Sequence, residues 1–244
     1  MEAKVLNLLL GLTGSQRIDF LRQAAVFGAE VVGQVGVVWP EGETDPADGE
    51  PFPGQIPLTY WKIEDGNFKM RWPLESGAGG TVFLVASGEE SPIDLIEVLP
   101  KLLNSLGARL GQIITLVNCR RLQDESRLES WYKACIHFSD IVLLGNRDGV
   151  EEKWMREYQK GFVRNSMPCH LDLVLKDGRT KQPMLLFSEE ARRISLYFDD
   201  LEPDPEDPEM PEPPQDVYFE REPSGERRVR LPVIFKRTRG EGVD

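Results

Sequence analysis

The chain has 244 residues and a mass of 27.7 kDa, with 40% hydrophobic, 29% charged and 9% aromatic residues. This is the composition of a soluble globular domain with a substantial core. A formal net charge of -12 argues against a nucleic-acid binder, which needs a basic face to displace counterions, and against docking on an anionic membrane.

The first residues, Val5 to Leu10, form an apolar run without clean alternation. That pattern predicts a strand buried on both faces of a parallel sheet. No basic stretch or cleavage site marks it as a leader. A Gly-containing turn follows, and a helix is expected from Ser15 to Gly28, with Thr13 and Gln16 spaced as a capping box. Val31 to Trp39 reads as a second strand, and 40–57, rich in Pro, Gly and acids, as a loop.

Thr81 to Ala86 is another buried strand, after Gly77-Ala-Gly-Gly80. Ser91-Pro-Ile-Asp94 opens a helix whose apolar positions Ile96, Leu99, Leu102, Leu103 and Leu106 keep helical spacing until Gly107. Pro100 lies inside it and is expected to kink or split it. Strands follow at Gln112 to Asn118, Asp140 to Leu144 and Leu171 to Leu175, with helices from Ser126 to Phe138 and Glu151 to Val163. The alternation implies an α/β fold: a three-layer, mostly parallel sheet covered on both faces.

Residues 1–198 therefore form the α/β domain. Residues 199–216 hold nine acids, six prolines and no Lys or Arg, and read as an extended, disordered linker. Much of the net charge resides there. Residues 217–244 hold a hairpin around Pro223-Ser-Gly225 and a tail. The apolar face of Val217, Phe219, Val229, Leu231 and Ile234 predicts that this hairpin docks on the main domain. Cys119, Cys135 and Cys169 are too few for a disulfide scaffold and fit a reducing cytoplasm.

Ligands of open α/β sheets bind beyond the carboxyl ends of the strands. The first such end, Gly11-Leu-Thr-Gly14-Ser-Gln16-Arg17-Ile18, stands where a phosphate-binding P-loop would. Gly11 and Gly14 fit the pattern. Gln16 replaces the last glycine, Arg17 the lysine and Ile18 the hydroxyl residue that holds Mg²⁺. The candidate phosphate or nucleotide-binding residues at this end are Gly11, Gly14, Ser15 and Arg17. A plain tight turn at Gly11 and Gly14, a surface salt bridge for Arg17 and a helix cap for Asp148 are the bland readings beside that one.

Cys135 and His137, two apart on a helix, point away from each other and make a poor metal pair. Ser87 has no histidine placed near it by any motif, and Glu89 and Glu90 read as solvated. Trp61 and Trp72 are expected in core or hairpin packing, with a partner-binding surface as the alternative.

Taken in order, these segments resemble the CobW-type family of P-loop metallochaperone GTPases. The resemblance covers residues 4 to 165. It rests on the loop at Leu8 to Leu21, on Val85-Ala86-Ser87-Gly88-Glu89-Glu90-Ser91-Pro92, on Ile113 to Asn118, and on Phe138-Ser139-Asp140 to Leu144 before Gly145-Asn146-Arg147-Asp148. The family's Walker acid falls at Val85. Its guanine-reading Asn and Lys fall at Gly145 and Asn146, and only Asp148 matches, so the resemblance adds Asp148 to the candidate nucleotide-binding residues. Its metal-binding cysteines fall near Gly66 to Met70, where there is none.

The resemblance thus implies a degenerate member: a non-hydrolytic binding or accessory protein without catalytic or metal-ligating residues. No cofactor is expected, with weak nucleotide or phosphate binding left open. A protein partner is expected, and no nucleic acid or membrane. Two alternatives stand beside it: an atypical nucleotide-hydrolysing metallochaperone, and an interaction module without nucleotide binding.

Overall fold

A computed structural model of the chain describes residues 3–44, 46, 52–53, 56–64, 67–75, 79–198 and 216–234. Residues 199–215, most of the expected linker, lie outside the described residues. The elements run β1 (Lys4–Gly11), α1 (Arg17–Val31), β2 (Val35–Pro40), β3 (Leu58–Glu64), β4 (Asn67–Met70), β5 (Gly80–Val85), α2 (Pro92–Leu106), β6 (Ala108–Asn118), α3 (Cys119–Asp124), α4 (Leu128–His137), β7 (Ile141–Gly145), α5 (Glu152–Arg164) and β8 (His170–Leu173). A 3-10 turn follows at Pro183–Phe187.

The strands form one eight-stranded sheet in the order β4-β3-β2-β5-β1-β6-β7-β8. All neighbours pair in parallel except β3 and β4, an antiparallel hairpin at one edge. β1 is central, and its apolar run faces both ways. Leu6, Leu8 and Leu10 enter the cluster that holds the α2 and α4 side chains. Leu9 enters the opposite cluster, with Phe20, Leu21 and Ala24 of α1 and Leu186 of the 3-10 turn. Burial on both faces removes the alternation that a half-solvated strand would show.

Asn7 is the polar interruption in that run. At the register shift between β1 and β6 its Oδ1 accepts the Gln112 N–H at 2.8 Å, and its Nδ2 donates to the Leu186 carbonyl at 2.9 Å. A buried amide is tolerated because its hydrogen-bonding groups find partners.

Several expectations shift. The first helix starts at Arg17, with Gln16 as N-cap and no side-chain capping bond. Thr13 instead turns its hydroxyl to Glu43. The second strand starts at Val35, four residues later than expected. Pro100 does not split α2, which runs unbroken from Pro92 to Leu106 and ends at left-handed Gly107. Seven buried residues on that helix outweigh a penalty of about 3 kcal/mol for an interior proline. Ser91 makes no side-chain capping bond. The helix α3 was not expected; Asn118 caps it, its side chain accepting the Arg121 N–H at 3.0 Å.

Asp140 anchors the base of β6 and β7. It is fully buried; its Oδ2 accepts the Ile113 N–H at 2.8 Å and its Oδ1 the Arg192 N–H at 2.7 Å. The guanidinium of Arg193 lies 3.2 Å from the same carboxylate. The Phe138-Ser139-Asp140 segment is thus structural here.

The C-terminal segment lies against α2 and α4. A single antiparallel bridge, Arg221 to Arg227, replaces the two strands expected. Arg221 and Arg227 pair with Glu97, and Arg227 also with Asp94 at 2.8 Å. Phe219 packs on Phe138 and Tyr197, with ring centroids at 5.4 and 4.4 Å, and Ile234 is buried in the core. Val217, expected on the docked face, is exposed.

Asp216 fastens the start of this segment. Its carboxylate accepts from His137 Nε2 at 2.7 Å, from Ser195 Oγ and from the Tyr218 N–H at 3.0 Å. Burial alone would raise its pKa. The hydrogen bonds from His137, Ser195 and Tyr218 outweigh that and hold the carboxyl below the usual aspartate range.

Asp140→Ala leaves two N–H groups and a buried guanidinium without their acceptor, and should cost about 3–5 kcal/mol in urea unfolding; a loss under ~1 kcal/mol would remove Asp140 from this role. Because the folded-state pKa of Asp216 is depressed, its contribution is present above the ordinary value of about 3.9 and disappears as pH falls through the lower folded value. The unaltered chain should therefore lose melting temperature below about pH 4 by an increment that Asp216→Asn lacks, and a chain ending at Phe198 should melt lower at pH 7. Equal melting of the full and shortened chains would contradict the docking.

Candidate functional site

The carboxyl ends of β1, β2 and β5, neighbours in the sheet, carry three loops that meet at one carboxylate. Glu43, on the turn after β2, accepts hydrogen bonds from the Thr13 hydroxyl at 3.2 Å, from the Gly88 N–H at 2.6 Å and from the Arg17 guanidinium. The side chains of Arg17 and Glu43 are only 3% and 5% exposed. Arg17 also donates to the Ala86 carbonyl at 2.8 Å and lies over the Trp39 ring. Arg17 is therefore not a surface residue. It is the buried cation of a desolvated ion pair, which is costly to break from either side.

The loop itself is wound as a closed turn. The Ser15 N–H donates to the Leu12 carbonyl and the Arg17 N–H to the Ser15 carbonyl, at 3.1 and 2.6 Å. Gly14 takes a left-handed φ of 81°, which favours glycine. Gly11 backs onto β6, where a Cβ would stand 3.0 Å from the Leu116 carbonyl. Gly88 presses on the loop from outside: a Cβ there would lie 2.1 Å from the Thr13 nitrogen.

Gln16 reaches across to the end of β7. Its Oε1 accepts the Asn146 N–H at 2.7 Å. Asn118 makes a second tie, its Nδ2 donating to the Gly14 carbonyl at 3.4 Å. The Tyr132 hydroxyl accepts the Asn118 N–H at 2.9 Å, and the buried Ser15 hydroxyl makes no hydrogen bond among the described residues. Ile18 and Val85, where a P-loop protein would bring its magnesium-supporting hydroxyl and acid, pack in the same apolar cluster. A magnesium ion takes oxygen ligands, so these residues do not fit one.

Beyond Gln16 opens a cleft of about 540 Å³ at the ends of β6, β7 and β8. Arg120, Arg121, Arg147 and Lys176 line it against Asp124 and Asp148, so it is locally positive in an acidic chain. Asp148 is not a helix cap, because α5 starts later with Glu151 at its N-cap. It is exposed and paired with Lys176 at 2.9 Å. Asn146 has a positive φ of 46°, which asparagine tolerates better than most residues. Of the candidate residues, Gly11, Gly14, Ser15 and Arg17 thus gather at the loop, while Asp148 lies across the cleft, beyond Gln16.

Glu43, Asn118 and Asn146 were not among those candidates. An Asn between a strand and a helix is a capping signal that would have found Asn118. Glu43 carries no such signal within its acidic loop.

The cysteines are chemically quiet. Burial pushes the thiol of Cys119 up to about 12 and that of Cys169 up to about 11, and raises Cys135 well above its usual value. Among the described residues no three His, Cys, Asp or Glu side chains are grouped to hold a metal ion. Where the resemblance places metal-binding cysteines, Phe68 of β4 stacks on Trp61 at 4.8 Å, and the Trp61 indole donates to the Val85 carbonyl. Gly66 lies outside the described residues.

No family model matches the chain, and none of the curated proteins does. Two solved structures are similar to it. One is the zinc-bound YjiA GTPase of E. coli, at 14% identity and a TM-score of 0.46, over 78% of this chain and 63% of that one. The other is a zinc-bound triple mutant of YjiA GTPase, at 15% identity and a TM-score of 0.51, over 84% of this chain and 67% of that one. The chain thus spans about two thirds of the length of these proteins.

Gly88→Ala forces the Thr13 backbone to move and should cost about 1–3 kcal/mol, a drop of roughly 2–12 °C in melting temperature. An unchanged melting curve would mean that Gly88 does not press on the loop as described. The chain has an α/β, P-loop NTPase-like fold built on an eight-stranded, mostly parallel sheet, similar to the fold of the YjiA GTPase triple mutant.

Proposed function

We propose that this chain is a non-hydrolytic binding or accessory protein on a CobW-like P-loop scaffold. One observation carries the reading: the Glu43 carboxylate lies on Arg17, Thr13 and Gly88, at the loop where a P-loop enzyme would hold its phosphates. Phosphoryl transfer depends on positioning and charge stabilisation by a lysine, a metal ion and open backbone N–H groups. Here the cation is already paired, the metal-supporting positions are Ile18 and Val85, and two loop N–H groups close a turn. The cleft bounded by Arg120, Arg147 and Lys176 is the proposed binding site, and its ligand is a small anion of the nucleotide class. Its positive lining supports this choice.

The test is phosphate release from GTP and ATP with Mg²⁺, alongside thermal shifts with GTP, GDP and ATP. Loss of a single charge-stabilising contact costs about 10²–10³-fold in rate, so turnover should not rise above buffer. A nucleotide-dependent rise in melting temperature that Arg147→Ala diminishes is the expected binding result. Turnover of about one per minute, abolished by both Arg17→Ala and Asp148→Ala, would mean a working hydrolase.

A further inference from the structure

Glu43 does more than neutralise Arg17. A guanidinium and a hydroxyl from the β1 loop and a main-chain N–H from the β5 loop converge on its two oxygens. This donor set suits an oxyanion of either shape, since the planar fork of arginine matches carboxylate and phosphate alike. The two donor-bearing loops are mutually locked, because Gly88 packs directly on the Thr13 backbone. The acceptor sits on a different connection, the turn after β2, one residue after Gly42, whose φ is 89°. The donors therefore form a fixed cradle, and the carboxylate is the part that enters it.

We infer that Thr13, Arg17 and Gly88 form a tetrahedral-oxyanion site that Glu43 occupies as an internal ligand, so that a phosphate-class anion binds there only when Glu43 is displaced. The inference rests on the non-hydrolytic reading and names how the loop is kept closed. It differs from a purely structural ion pair in what it requires. A structural pair that is broken loses stability and gains nothing. An occupied cradle that is vacated gains affinity for an external anion, because the competing internal ligand no longer reduces the binding-competent fraction.

The probe is inorganic phosphate, titrated by calorimetry and by thermal shift against sodium chloride of matched ionic strength. Glu43→Gln keeps the side-chain volume and removes the charge. It should bind phosphate at least about tenfold more tightly than the unaltered chain. The double variant R17M/E43L replaces the pair with apolar groups, which proteins often accept without loss of stability, and should show no such gain. Glu43→Ala, refolded with and without phosphate, gives a second reading: phosphate should raise its melting temperature more than matched chloride does.

Unchanged phosphate affinity in E43Q, or a gain that persists in R17M/E43L, would overturn the inference, as would E43A responding to phosphate and chloride alike. The two readings fail separately. Nucleotide turnover by the unaltered chain counts against the non-hydrolytic function, whereas the phosphate affinities of the Glu43 variants decide this one.

Discussion

The buried pair of Arg17 and Glu43 is the constraint around which the carboxyl end of the sheet is arranged. A guanidinium removed from water needs a full set of acceptors, and a carboxylate needs donors. The chain meets both needs by bringing three loops together. The β1 loop supplies Thr13 and Arg17, the β5 loop supplies the Ala86 carbonyl and the Gly88 N–H, and the turn after β2 supplies Glu43. Satisfying the charges closes the site.

That closure has consequences along the sheet edge. With the loop drawn into a turn, Gln16 is left facing β7 and bridges to Asn146, while Asn118 bridges to Gly14. The polar cleft then lies beyond Gln16 and does not continue into the loop. Its cations are held by neighbouring carboxylates and carbonyls, Arg120 with Asp124 and Lys176 with Asp148. Such exposed pairs are weak and exchange readily with an incoming anion, whereas the buried Arg17 pair does not.

The opposite end of the molecule is held by a second buried acid. Asp140 ties the middle of β6 to residues 192–193, and the C-terminal segment then covers α2 and α4 through Phe219, Arg227 and Asp216. Both anchors obey the same rule: a buried carboxylate is kept where it accepts main-chain N–H hydrogen bonds and lies beside a guanidinium.

The sequence alone determined what depends on local pattern. The apolar runs of β1, β5 and β7 announced a parallel sheet, and the spacing of Ile96, Leu99, Leu102 and Leu103 with Gly107 marked α2 and its end, because burial and helical period are written in neighbouring residues. Only the tertiary structure decided the fate of Arg17, which read as a surface salt bridge or a phosphate-binding cation, and the part played by Glu43, which lay in a stretch of acids, glycine and proline with the look of a solvated loop. Their meeting joins residues 26 apart in the chain through the ends of three strands. No periodicity encodes a contact of that kind; it follows from strand order, which places β2, β5 and β1 side by side, and from the cost of leaving a charge buried without its partner.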